Sequence, residues 1–303
     1  MTLLLYAVIS GVAYAILGVL YKYAEQKHCR PEGFMLAFLC TGGVITLGKA
    51  LTEPTTWLDV RFWSLGIVLG LLTYASVRLL MVANAHGPAS IPWTMLNLSL
   101  ILPILLAPML FHEKIFGIDI VALLAFMGML VLFARSMPAA TVSPTSHRIF
   151  LPAALGVMLT DGICMLGNKV KDIWFPDANT AGLPAISFLT AALCAAIVLF
   201  RRQGLLRLER REWQVGLWAG LICSVGIVSL LSAMRLPVIV SLPVIKGLAL
   251  VGGVVLYRVL FREEITPLRA TGLVLGGFTL LLVTSREPLD RWMILLLAGL
   301  FNR

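Results

Sequence analysis

Long apolar runs separated by short polar connections make up most of the chain. Ten runs have about the 20 residues that a helix needs to cross the hydrocarbon core of a bilayer. Backbone groups in lipid must be hydrogen-bonded within their own segment, so such runs predict helices rather than strands. The predicted spans are 3–22, 34–52, 62–82, 88–110, 116–135, 149–170, 183–200, 213–234, 237–260 and 266–285.

The first run has an alternative interpretation as a signal peptide, because Ala13-Tyr14-Ala15 resembles a cleavage site. Only Met1 and Thr2 precede the run, whereas a signal peptide begins with a basic region. The absence of that region favours a retained helix.

Two segments lie outside the predicted spans. The stretch 137–148 is rich in Pro, Ser and Thr and predicts a linker that divides the chain almost in half. The tail 287–303 contains a short apolar run from Trp292 to Phe301. That run is too short to cross a bilayer, and we expect it to lie at the membrane interface.

The two sides of the linker are copies of each other at an offset of 150 residues. Each copy would hold five spans, 1–136 before the linker and 149–286 after it. Because five is odd, the second copy must enter the membrane from the opposite side, which predicts an inverted repeat. The identical pairs include Arg61/Arg211, Trp63/Trp213, Gly66/Gly216, Gly70/Gly220, Phe111/Phe261, Glu113/Glu263 and Ile115/Ile265.

Composition agrees with lipid as the main solvent. Hydrophobic residues make up 59% of the chain and charged residues 13%, and the mean hydropathy is +0.95. The fold class expected is therefore all-α integral membrane. The formal net charge of +9 comes mainly from basic residues between spans, where they set topology and contact anionic lipid rather than nucleic acid. The five cysteines form no C-x-x-C pair and the histidines are isolated, so no metal site or other cofactor is predicted.

The ends of the fourth spans carry a family resemblance. The phrases Phe111-x-Glu113-x-Ile115 and Phe261-x-Glu263-x-Ile265 follow those spans, and the third spans are glycine-rich. With ten spans in two halves, this resembles the drug/metabolite transporter superfamily, specifically its EamA-like ten-helix members. The resemblance implies a substrate cavity near the pseudo-two-fold axis, lined by the first, third and fourth spans of each half. It also implies export of amino acids, other metabolites or toxic compounds.

Two charged residues lie deep within predicted spans, Lys246 in the ninth and Asp161 in the sixth. A charge at the centre of a spanning helix costs about 2.5–3.5 kcal/mol, so each should face the protein interior or a wet cavity. Lys246 aligns with Leu96 in the repeat, so the fold itself does not require a cation at this position. Both residues are candidates for substrate binding or proton coupling. The alternatives are that they neutralise each other, or that Lys246 snorkels to an interface.

Five further candidates are polar or aromatic residues within spans. Arg78 could bind a substrate carboxylate or snorkel to the end of its span, and Tyr74 lies one turn before it. Trp93 and Asn97 lie one turn apart on the fourth span and could form a cavity wall, although Asn97 could instead bond helix to helix. Tyr14 on the first span is a similar candidate.

The function expected from these features is secondary-active transport by alternating access in the cell inner membrane. The sequence contains no G-x-x-x-x-G-K-[ST] motif, so energy would come from a proton or solute gradient. Charge bias of the loops weakly places both termini outside, whereas the resemblance implies cytosolic termini. The partners expected are a small solute and the lipid bilayer, with monomer and homodimer both open. The alternatives are an integral-membrane enzyme acting on a lipid-linked substrate and a non-transporting assembly or sensor subunit.

Overall fold

The computed structural model describes residues 2–52, 59–86, 90–112, 117–135, 144–204, 207–261 and 267–284. Within these residues the regular elements are eleven α-helices. They are α1 Thr2–Gln26, α2 Pro31–Leu51, α3 Val60–His86, α4 Ser90–Leu98, α5 Ile101–Phe111, α6 Gly117–Arg135, α7 Pro144–Trp174, α8 Gly182–Gln203, α9 Arg210–Ala233, α10 Val238–Phe261 and α11 Pro267–Thr284. The predicted tail 287–303 and the phrases 113–115 and 263–265 lie outside the described residues.

Seven of these helices are long and apolar enough to cross a membrane, judged by length and composition: α1, α2, α3, α7, α8, α9 and α10. Shorter apolar helical segments occur at Met95–Phe111, Ile120–Met129 and Ala270–Thr279. The prediction of an all-α membrane protein is confirmed at this level.

Local sequence explains several helix ends. Pro31 occupies the first turn of α2, where its missing N–H costs no helical hydrogen bond. Glu209 and Glu212 form a capping box at the start of α9. Gly204 ends α8 with φ of 70°, a left-handed conformation that glycine adopts without strain.

The predicted C-terminal boundary of the linker 137–148 was wrong. Helix α7 begins at Pro144, so the last five linker positions belong to the helix. Proline is compatible with the first turn of a helix, so its presence did not exclude this extension.

The predicted span 88–110 consists of two helices, with a break at Ser99 and Leu100 between α4 and α5. Pro103 has no N–H to donate to the Ser99 carbonyl. That carbonyl instead accepts from the N–H of Leu102 at 3.2 Å. By contrast, α10 continues through Pro243 as one helix.

Extensive helix packing joins the part of the chain before the linker to the part after it. Helix α1 packs on α9 and α10, α2 on α8 and α9, α3 on α7 and α8, and α6 on α11. Helices α4 and α5 both pack on α7. The protein core therefore lies between the two halves of the sequence.

Small residues allow two of these crossings to be close. A Cβ atom on Gly70 of α3 would lie 2.6 Å from the Ser187 carbonyl oxygen and from Thr190 Cβ on α8. A Cβ atom on Gly220 of α9 would lie 2.6 Å from the Phe38 carbonyl oxygen and from Thr41 Cβ on α2. Such close approach through small residues is common between membrane helices.

Candidate functional site

A cavity of about 130 Å³ lies where six helices meet, α1, α3, α4, α7, α9 and α10. Its wall also includes Phe38 of α2 and Phe188 of α8. Five of the seven candidate residues line it: Tyr14, Trp93, Asn97, Asp161 and Lys246. The sequence pattern thus selected residues from four separate helices that the fold brings to one place.

Lys246 and Asp161 form an ion pair in this cavity. The Lys246 Nζ atom lies 2.8 Å from Asp161 Oδ2 and donates a second hydrogen bond to the Leu96 carbonyl at 3.2 Å. Only 5% of the Lys246 side chain is exposed. The alternative in which the two charges neutralise each other is therefore confirmed. Because both hydrogen bonds point into the bundle, Lys246 does not snorkel to an interface.

The break between α4 and α5 supplies the other polar groups around this pair. Ser99 lies at the break, and its hydroxyl group hydrogen-bonds to Asp161 Oδ2. Leu96, in the last turn of α4, presents its carbonyl oxygen to Lys246. Leu96 is also the residue that aligns with Lys246 in the repeat, so the two equivalent positions are in direct contact. Ser99 was not selected from the sequence, although Pro103 four residues later signals a break there.

Trp93 and Asn97 lie one turn apart on α4. The Asn97 amide nitrogen donates to the Trp93 carbonyl at 2.8 Å, within the same helix. The Asn97 Oδ1 atom and the Trp93 Nε1 atom are buried without a hydrogen-bond partner among the described residues. The hydrogen bond of Asn97 therefore lies within α4 and does not join two helices, contrary to the alternative in which Asn97 bonds helix to helix.

The cavity wall contains more aromatic rings than the two predicted from the sequence, Tyr14 and Trp93. Tyr21, Phe38 and Phe188 also line the cavity. The Phe38 ring lies 6.2 Å from that of Tyr21 and 6.3 Å from that of Phe188. Two signals were available: Tyr21 follows Tyr14 by two helical turns, and Phe38 and Phe188 are related by the offset of the repeat.

Arg78 and Tyr74 do not belong to the cavity wall. Arg78 Nη1 lies 3.4 Å from Glu32 Oε1 and 3.5 Å from the Tyr74 hydroxyl oxygen. Glu32 also pairs with Arg202 at 2.6 Å. Because Glu32 in the first turn of α2 already engages Arg78, the predicted role of Arg78 in binding a substrate carboxylate within the cavity is not supported.

A second ion-pair network ties the start of α2 to the start of α9. Arg30 donates from Nε to Glu212 Oε1 at 2.7 Å and from Nη2 to Oε2 at 2.8 Å. The backbone N–H groups of Arg30 and Glu209 also donate to the Glu212 carboxylate, whose side chain is fully buried. The hydrogen bond to Glu212 raises the pKa of Arg30. Burial and the nearby Glu212 and Glu209 carboxylates raise the pKa of the Cys29 thiol.

Comparison with known proteins supports the fold alone. No family model matches the sequence, and no curated protein matches it. Among solved structures, 27 chains match. One, described only as "Crystal structure of protein", has a TM-score of 0.70 and 18% sequence identity, and the match covers 95% of this chain and 98% of that chain. The arrangement of helices is thus one that a solved structure also has, over nearly the whole chain.

Proposed function

We propose that this protein is a secondary-active transporter of a small solute, built from two inverted repeats of five spans in the cell inner membrane. The observation that carries the proposal is the cavity between the two halves, which holds an ion pair among apolar and aromatic walls. A buried ion pair in a spanning bundle is costly, and such groups commonly mark substrate or ion pathways.

The packing of the helices supports the inverted repeat. Exchanging the two halves replaces the contact of α1 with α9 by that of α7 with α3, and the contact of α2 with α9 by that of α8 with α3. It replaces the contact of α1 with α10 by the contacts of α7 with α4 and α5. The contacts of α2 with α8 and of α6 with α11 are unchanged by the exchange. All of these contacts occur, as a two-fold axis between the halves would require.

The glycine crossings support the same axis. Gly70 and Gly220 are equivalent in the repeat, and a Cβ atom added to either would lie 2.6 Å from a backbone carbonyl oxygen and from a threonine Cβ. Added to the seven long helices, the three shorter apolar segments at Met95–Phe111, Ile120–Met129 and Ala270–Thr279 would give ten spans.

This arrangement supports transport by alternating access. A site near a two-fold axis in the membrane plane can open to either side when one half moves against the other. A solute or proton that competes for Asp161 or Lys246 would weaken the attraction between these two side chains. The packing of α7 against the helices of the first half would then change. Export is the direction that the family resemblance favours.

A counterflow assay in proteoliposomes tests the proposal. Vesicles preloaded with a mixed metabolite panel should accumulate a labelled member of the panel, and Asp161→Asn should abolish that accumulation. Asp172→Asn, on the same helix α7 but away from the cavity wall, is the matched control and should transport normally. Wild-type vesicles that exchange no member of a broad panel would contradict the proposal.

A further inference from the structure

The hydrogen bonds around the cavity leave acceptors open. The Asn97 amide nitrogen donates to the Trp93 carbonyl, and within the described ranges of the chain the buried amide oxygen has no partner. Asp161 Oδ2 accepts hydrogen bonds from the Lys246 ammonium group and the Ser99 hydroxyl group. Within the part of the chain that the structure describes, no hydrogen bond reaches its other oxygen, Oδ1. A ligand that brings N–H donors would satisfy both oxygens.

Lys246 is less available to a ligand than Asp161. Its side chain is 5% exposed, against 16% for that of Asp161. Its ammonium group already donates to Asp161 and to the Leu96 carbonyl. Lys246 can offer an anion only its third N–H, on a side chain that is 5% exposed, whereas a cation can approach the exposed side of the Asp161 carboxylate.

The walls of the cavity suit a small cation with an apolar body. Tyr14, Tyr21 and Trp93 contribute aromatic rings, and ring faces attract ammonium groups. The volume of about 130 Å³ is close to the roughly 150 Å³ of an apolar cavity that binds benzene. The space therefore limits the ligand to about one ring with a short substituent.

We propose that the cavity is a binding site for a small primary amine in its ammonium form. The free oxygens of Asp161 and Asn97 accept its N–H groups, and the aromatic rings enclose its apolar body. Lys246 is the resident cation that neutralises Asp161 when the site is empty. As the substrate class of the transporter this inference rests on the proposed function, but as a binding site it is testable without transport.

Three isosteres of different charge provide the probes: benzylamine, benzyl alcohol and benzoate. Calorimetry on the purified full-length protein in detergent should show benzylamine binding, with the other two weaker by about tenfold or more, because a charged hydrogen bond is lost. Asp161→Asn should weaken benzylamine binding by at least about the same factor. The matched control Asp172→Asn should leave benzylamine binding unchanged.

Removing the resident cation gives a second, independent readout. Lys246→Met leaves the Asp161 carboxylate without its partner, so the melting temperature should fall. Benzylamine should restore the melting temperature by replacing the missing ammonium group, whereas benzyl alcohol and benzoate should not. Lys49→Met, at an exposed position near the end of α2, is the matched lysine control and should leave melting and binding unchanged.

The double variant Asp161→Asn/Lys246→Met keeps the test decisive if Lys246→Met cannot be purified. It carries neither charge and should fold, yet it should bind no benzylamine.

Three results would overturn the inference: no benzylamine binding by the wild type, equal binding of the three isosteres, or benzoate binding that depends on Lys246. Each of them leaves the transporter proposal standing, because counterflow tests transport with solutes of any charge. A failed counterflow panel overturns the transporter proposal and leaves the calorimetric result on the amine site intact.

Discussion

At the scale of single residues, the two charges in the cavity depend on each other. Lys246 is nearly inaccessible, and its Nζ atom lies 2.8 Å from Asp161 Oδ2. A buried charge that loses its partner is strongly unfavourable, whereas replacing both members of a pair by uncharged groups is often tolerated. The stability of the pair is therefore a property of both residues together.

A double-mutant cycle measures this dependence. We expect Asp161→Asn and Lys246→Met each to lower the free energy of unfolding by about 3–5 kcal/mol, and the double variant to lose much less than the sum. Thermal unfolding in detergent gives the three values. Additive losses would show that the two side chains do not interact in the protein.

Glu212 should be a stability residue rather than a transport residue. Its buried carboxylate accepts hydrogen bonds from the Arg30 side chain and from two backbone N–H groups. Glu212→Gln should lower stability by about 1–3 kcal/mol, because the amide nitrogen cannot accept from the N–H groups that donate to the buried carboxylate. Thermal unfolding measures the loss, and the exposed Glu25→Gln is the control that should change nothing. A Glu212→Gln protein as stable as the wild type would refute this role.

At the scale of helices, the close crossings rest on glycine. The position of Gly220 faces backbone atoms of α2 that cannot move aside easily, whereas nothing lies within 4 Å of a Cβ atom at Gly48. Substitution by alanine should therefore be tolerated at Gly48 and destabilising at Gly220.

Gly220→Ala should destabilise the protein by about 1–3 kcal/mol, since the new methyl group overpacks the crossing of α9 with α2. Gly48→Ala should be neutral or stabilise by up to about 1 kcal/mol, because alanine favours the helix. Melting temperatures in detergent distinguish the two signs. A stabilising Gly220→Ala would show that the crossing has room for a side chain.

At the scale of the whole molecule, the two halves are not separate packing units. Extensive contacts run between them, as in α1 with α9 and α2 with α8, while α2 with α3 and α8 with α9 touch only slightly. Each half alone would leave the helix faces of these contacts uncovered.

Cutting the chain within the linker tests this interleaving. Residues 1–140 and 141–303 expressed separately should be degraded, whereas co-expression should yield a complex that co-purifies and melts near the temperature of the intact chain. Affinity purification through a tag on one half, followed by thermal unfolding, provides the measurement. A half that purifies alone with a cooperative unfolding transition would contradict the interleaved core.

The amino-acid sequence alone was enough to predict the apolar helices and five of the residues that line the cavity. Hydrophobic runs and depth in a span are local properties, and a charge such as Lys246 is conspicuous in an apolar run. The break at Ser99, the pairing of Arg78 with Glu32 and the burial of Glu212 required the tertiary structure. Each depends on which distant side chain lies within hydrogen-bonding distance, as Glu32 lies 46 positions before Arg78 and Asp161 lies 62 positions after Ser99. The packing of the helices sets which of these distant side chains come into contact. The order of residues along a single helix carries no information about that packing.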